Sequence, residues 1–291
     1  MMNLASTYLA AFYRKAFALS LLCLCSSLAY AYQSVPVIAL QSAPVLDGSD
    51  SDWGPSTLIA VPLHTTAQGQ QSQVETIYVK GAVFADKVYF YFTWQDDTHS
   101  VEHKPFLWDD QQKRYIQSQI YEDRLAIQFA MSGDYTTDWF SGNEFVADMW
   151  HWKSFRSNTL GLAQDKQTII SKTKMLRSFQ GQTPQGTPIY IYRPSDAGDP
   201  LYSSMRYQEK QNSKMPKYLL AKQPQGSIAD VQAKGVWRDG AWHLEIVRSI
   251  NTEHADDVVF IKGRQVLGGI AVFNNSGDDK HSISDTLIFE F

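Results

Sequence analysis

Apolar and polar side chains alternate at every second position through most of the chain, and that period commits a segment to a strand with one face turned inward. Val88, Phe90, Phe92 and Trp94 alternate with Tyr89, Tyr91 and Thr93; Leu125, Ile127, Phe129 and Met131 alternate with Ala126, Gln128 and Ala130. Residues 75–84, 147–153, 168–174, 231–237, 242–249, 266–273 and 286–291 follow the same pattern. Ala85-Asp86-Lys87 and Asp239-Gly240 supply the turn chemistry of hairpins. Helical periodicity is confined to a turn or two near residues 108–114. The pattern predicts an all-β fold, an immunoglobulin-like antiparallel β-sandwich with long loops.

Residues 1–31 obey a different rule. Arg14 and Lys15 precede an apolar run over residues 16–25, and Ala29-Tyr30-Ala31 supplies small residues for cleavage, the layout of a secretory signal peptide. The run falls short of the roughly 20 residues that span a bilayer as a helix. The expectation is cleavage after Ala31, a single domain over residues 32–291 with no membrane span, and a periplasmic or secreted location. Both cysteines, Cys23 and Cys25, lie in the leader, so the mature chain would have no disulfide, thiolate metal site or thioether-linked haem. Losing Arg14 and Lys15 turns 26 basic and 30 acidic residues into 24 and 30, a net charge of −6. Nucleic acid is therefore an unsuitable partner. Residues 179–227, rich in Gln, Pro, Gly, Ser and Lys, read as a long loop or an insertion, and loops of that length usually serve a function.

The chain carries no nucleophile elbow, phosphate loop, dinucleotide fingerprint or zinc-protease motif. The acid pairs Asp96-Asp97, Asp109-Asp110 and Asp256-Asp257 would point to opposite faces of a strand, which suits solvated turns better than acid and base work. His99 and His103 have a metal spacing only on a helix. Asp47, Asp50 and Asp52 lack the glycine and distant Glu of an EF-hand loop. The unusual segment is residues 147–153, where Met149, His151 and Lys153 would share one strand face and Asp148, Trp150 and Trp152 the other. A soft sulfur or an imidazole walled by aromatic rings can hold a planar iron macrocycle; a plain core strand has the same composition.

At this segment the chain resembles a family. Asp148-Met149-Trp150-His151-Trp152-Lys153, followed by Arg156 and by Gly161 to Asp165, is similar to the Asp-x-Trp-x-Trp-Lys-Ala block of the haem-binding domain in the third subunit of ethylbenzene dehydrogenase and related enzymes. Leu46-Asp47-Gly48 with Asp52-Trp53 resembles the family's opening, and Glu122 to Phe129 its central strand. Ala233 to Trp237 with Gly240, Trp242 and Arg248 resembles its late hairpin, and Lys280 to Ser284 its closing block. The resemblance spans most of residues 43–291, with 179–227 poorly matched. It implies a sandwich that holds one haem b noncovalently, through a methionine and a lysine, and relays electrons for a molybdenum oxidoreductase with its iron–sulfur subunit, or to a c-type cytochrome.

Lys280 matches the family's lysine. The family's methionine lies upstream of the tryptophan block, where this chain has Asp138 to Asn143 and no methionine. Met149, the nearest thioether, ranks first as the second iron ligand; His151 ranks next and Met131 third, with Trp150 and Trp152 expected beside the cofactor. A carbohydrate-binding module without haem is the other reading, since secreted sandwiches with a similar Leu-Asp-Gly opening bind sugars and the chain has 8 Trp and 15 Tyr. That reading expects Trp53, Trp108 or Trp139 on an exposed flat face.

Overall fold

Strands form where the alternation places them. The computed structural model describes residues 32–66, 70–278 and 280–291; the expected signal peptide lies outside the described residues. In chain order the first ten strands are β1 (Gln33–Ala39), β2 (Ile59–Pro62), β3 (His64–Thr65), β4 (Thr76–Phe84), β5 (Lys87–Gln95), β6 (Phe106–Asp109), β7 (Arg114–Gln117), β8 (Arg124–Gly133), β9 (Phe145–Lys153) and β10 (Gln164–Ser171). Then come β11 (Phe179–Gln182), β12 (Pro188–Tyr192), β13 (Tyr202–Ser204), β14 (Lys214–Met215), β15 (Tyr218–Leu220), β16 (Gln232–Arg238), β17 (Ala241–Ser249), β18 (Gln265–Phe273), β19 (Ser282–Ile283) and β20 (Leu287–Glu290). Among the described residues the only helical pieces are single 3-10 turns at Asn158–Leu160 and Ser227–Ala229.

One layer runs β11-β12-β10-β9-β8-β18-β20 and the other β4-β5-β17-β16. β1 links them, pairing Gln33–Pro36 with β20 and Val37–Ala39 with β4, and it is parallel to both. The expected all-antiparallel sandwich is therefore mixed. Period two fixes which face is buried and says nothing about the direction of the neighbouring strand.

The core lies between the layers. Phe90, Phe92 and Trp94 from β5 and Trp242, Leu244 and Ile246 from β17 meet Ile127 and Phe129 from β8 and Trp150 and Trp152 from β9. Trp152 packs edge-on to Trp242 at 4.9 Å between ring centroids, and Trp150 edge-on to Phe129 at 5.0 Å. Burying an indole removes roughly 150–250 Å² from water, which at about 25 cal/mol per Å² is several kcal/mol for each ring. Gly235 allows the close approach, since a Cβ there would lie 2.3 Å from Trp152 Cζ2.

The outer faces are covered too. Tyr89 and Tyr91 are buried under Trp53 of the N-terminal turn. Glu245 fastens that turn, accepting hydrogen bonds from Asp47 N at 2.8 Å, Gly48 N at 2.6 Å and Trp53 Nε1 at 3.0 Å. One expectation needs correcting: residues 108–114 form no helical turn but close the β6–β7 hairpin. Residues 179–227, expected as a long loop or an insertion, hold short strands: β11 and β12 extend the first layer at its edge and β13 pairs with β15. Glycine and proline punctuation hid short strands that tertiary pairing stabilises.

Candidate functional site

β9 carries the site because both of its faces are buried. It pairs with β8 on one side and β10 on the other, so every residue but Val146 is shielded. Met149, His151 and Lys153 face outward, and Asp148, Trp150 and Trp152 face the core, as the alternation requires.

On the outer face, Met149 lies against Ala126 and Phe273. Its sulfur is 3.6 Å from Gln128 Nε2 and 3.8 Å from Thr168 Oγ1. His151 sits opposite Ala126 and stacks on Phe273 at 5.8 Å, and Phe273 stacks in turn on His281 at 4.6 Å. His151 Nε2 is buried and finds no hydrogen-bond partner among the described residues. Burial, with Lys153, Arg124, Lys166 and Arg156 nearby, holds the imidazole well below the usual histidine range, so the ring is neutral and keeps a lone pair.

This face is rich in cations. Lys153 is directly opposite Arg124 on the neighbouring strand, an unfavourable pairing of like charges. Arg156 is held by Glu122 and lies over the rings of Tyr202 and Tyr218. Arg124 and Arg193 share Asp278, at 2.6 Å and 3.5 Å. Lys153 and Lys166 find only neutral acceptors: Gln164 Oε1 for the first, the Arg193 carbonyl at 3.2 Å and Ser195 Oγ at 3.3 Å for the second. Burial first, and Arg156 next, push the Lys153 amine well below the ordinary lysine range.

On the inner face the sign is reversed. Arg248 from β17 is fully buried, and its Nη1 lies 2.6 Å from Asp148, 3.3 Å from Asp165 and 3.2 Å from Asp257. Its guanidinium covers Trp150 at 4.8 Å. Sequence reasoning named Asp148, Asp165 and Arg248 as carriers of the resemblance and missed that they meet. The signal was legible: Arg248 continues the inward phase of Trp242, Leu244 and Ile246, and Asp148 that of Trp150 and Trp152. A charge in core phase needs a buried partner.

The candidate residues thus separate. Met149 and His151 are brought together on the outer face. Trp150 and Trp152 are fully buried in the core on the opposite side of the strand, so they do not share the face on which Met149 and His151 lie. Met131 is the bulge residue of β8, between Ala130 and Ser132, and packs against the core. It also borders a cavity of about 400 Å³ with Val258, Val259, Ile261 and Arg264, apart from Met149. Lys280 is exposed in the bend before β19.

His99 and His103 form no metal pair: His99 stacks on Trp237 at 5.4 Å, while His103 Nδ1 is 3.4 Å from Glu122. Asp50 pairs with Lys80 at 2.9 Å, and Asp47 and Asp52 cap backbone amides of the N-terminal turn. Of the tryptophans a sugar platform would use, Trp53 is buried, Trp108 lies against Tyr115 and Lys210, and Trp139 under Arg193.

No curated protein matches the chain. Among solved structures it is similar to a family 9 carbohydrate binding module from Caldicellulosiruptor kristjanssonii in complex with glucose, at 10% identity and a TM-score of 0.37, over 88% of this chain and 85% of that one. A candidate carbohydrate-binding protein from Bacteroides uniformis gives 10% identity and a TM-score of 0.41, over 88% and 91%. Likeness at this level carries no argument about ligands. Among the described residues no helix is long and apolar enough to cross a membrane. A family model described as ethylbenzene dehydrogenase matches residues 50–284, and the chain belongs to that family.

Proposed function

We propose that the protein is an exported haem b-binding electron-transfer subunit that serves a redox enzyme, with the haem held noncovalently on the outer face of β9. The carrying observation is the buried, unpartnered Nε2 of His151 beside the Met149 thioether. A neutral imidazole nitrogen and a thioether sulfur are both iron donors. The excess of cations fits a cofactor with propionate groups, and Ala126 and Ala271 keep the surface beside Met149 low.

Met149 and His151 are two positions apart on one strand, roughly 6.6 Å at 3.3 Å per residue, so they cannot ligate from opposite sides of one iron. One of them would act with a donor from the closing segment, where Lys280 matches the family lysine. A histidine in place of methionine would lower the reduction potential, because imidazole favours ferric iron more than a thioether does. When bound, the haem supplies one-electron chemistry; the chain binds it, excludes water and sets its potential. A molybdenum oxidoreductase with its iron–sulfur subunit is the partner this reading entails, with a c-type cytochrome as the other.

The test is an absorption spectrum of protein purified from haem-supplied cells, oxidised and then dithionite-reduced. The expected result is a Soret band that acid acetone extracts. Among Met149→Leu, His151→Phe and Lys280→Ala, the variants that remove a ligand shift the reduced bands. An absent or non-extractable Soret band overturns the reading.

A further inference from the structure

At the edge of the first layer an apolar row runs out into solvent. Phe145 of β9, Ile170 of β10, Ile191 of β12 and Phe179 of β11 stand opposite one another in register across four strands. The first three are buried, whereas Phe179, on the edge strand, is 67% exposed. Gly181, two positions on and on the same face, lies against the half-exposed ring of Phe140, since a Cβ there would fall 2.4 Å from Phe140 Cε1. Leu176, in the turn that enters β11, is 86% exposed, the most of any large apolar side chain among the described residues. Apolar surface gathered at one edge in this way marks an interaction site. Cations frame it. Residues 166–195 hold five basic residues and no acidic one, in a chain whose net charge is −4. Three of the five, Lys172, Lys174 and Arg177, are exposed in the turn around Leu176. The side chains of Lys174 and Arg177 enter no ion pair or hydrogen bond among the described residues. Glu144 stands at the base of the turn, where its carboxylate accepts from Lys172 N at 2.7 Å and Ser171 Oγ at 3.0 Å.

We infer that the turn over residues 172–178, with Phe179 and Phe140 beside it, docks on an anionic lipid surface. A side chain as exposed as Leu176 projects from the protein with no groove around it. A fluid bilayer surface accepts such a projection wherever it lands, whereas a protein partner must offer a pocket shaped to it. Lys172, Lys174 and Arg177 flank the projecting leucine, so apolar insertion and attraction to lipid phosphates act at the same place. The negative charge of the rest of the chain does not cancel that attraction, because the Debye length is only about 8 Å at physiological ionic strength. Phe145, the buried end of the row, is already four residues along β9 from Met149, roughly 13 Å at 3.3 Å per residue. The inference therefore does not rest on haem binding.

The experiment is co-sedimentation of the full exported chain with vesicles of phosphatidylglycerol and phosphatidylcholine, against vesicles of phosphatidylcholine alone. Binding should be about tenfold tighter or more to the anionic vesicles, and should fall about tenfold between about 0.05 and 0.5 M NaCl as the Debye length shortens roughly threefold. Leu176→Ser with Phe179→Ser, and separately Lys174→Glu with Arg177→Glu, should each weaken binding about tenfold or more relative to wild type. All four side chains are exposed, so circular dichroism of the variants should match wild type; if the first pair does not fold, Leu176→Ser alone replaces it. Absent binding, binding indifferent to lipid charge, or variants that bind as wild type does overturns the proposal. A dimer in light scattering that the Leu176 and Phe179 changes dissolve, with vesicles left unbound, overturns it too, since the edge would then be a face between two copies of the chain.

Discussion

The two faces of β9 are both dry, yet they hold opposite charge. Inward, Asp148 joins Asp165 and Asp257 around a single Arg248; outward, Lys153 stands against Arg124 with Lys166 and Arg156 close by. The inner cluster is held in the core, with the Arg248 guanidinium over Trp150 and Phe260. The outer one is built partly from β10 and from segments beyond residue 190, and the amines of Lys153 and Lys166 find only neutral acceptors there. A charge locked in a core is a structural commitment, whereas unpaired cations under a cover leave room for an anionic ligand.

The largest effect expected is on the inner face. Arg248→Ala strips the only guanidinium from the carboxylates, and urea unfolding should record a loss of about 3 kcal/mol or more, since a broken buried ion pair leaves uncompensated charge. A loss under about 1 kcal/mol would show that protons already neutralise the acids, and the contrast between the faces would fail.

The next effect is a pH dependence that spans both faces. Burial raises Asp123, whose Oδ2 accepts from Trp242 Nε1 at 3.0 Å, to about 7. Burial lowers His103, which lies against Glu122 and Tyr218, to about 2. The raised acid contributes stability that is complete below its unfolded pKa and is lost as pH rises through 7; the depressed histidine contributes stability that is lost as pH falls from its unfolded value of 6.5. Between about pH 4 and 6.5 the two slopes cancel. His103→Gln should therefore expose the acid's slope, gaining up to about 1 kcal/mol per unit on acidification over that window in urea melts at several pH values. A variant whose slope over that window equals that of the wild type would contradict the pairing.

The smallest effect belongs to the outer face. Lys153→Met removes a buried amine facing Arg124 and should leave stability within about 1 kcal/mol of wild type or raise it, in contrast to Arg248→Ala. A loss comparable to that of Arg248→Ala would mean that Lys153 is as deeply committed as the core arginine, and the outer face would no longer read as a ligand surface.

Much of this was legible early. The alternation of Phe90, Phe92 and Trp94, and the division of β9 into a Met149–His151–Lys153 face and a Trp150–Trp152 face, follow from backbone geometry alone. The placement of Trp150 and Trp152 away from the donors was not, because both faces of β9 are covered and composition cannot tell which cover is the opposite layer. Residues 179–227 stayed opaque for a related reason. Strands of two to five residues there gain their place from partners outside the region, β12 against β10 and β14 against β6.

By itself the sequence determined the period-two fold class, the absence of cysteine after residue 31 and the family blocks. Those are local properties, set by pleat geometry and residue chemistry. Tertiary structure alone decided that Asp148, Asp165 and Arg248, up to 100 positions apart, meet in one buried cluster, that β1 runs parallel to both neighbours, and that His151 Nε2 is sealed without a partner. Each depends on which surfaces face one another once the layers close, and desolvation, which gives these groups their energy, exists only after that closure.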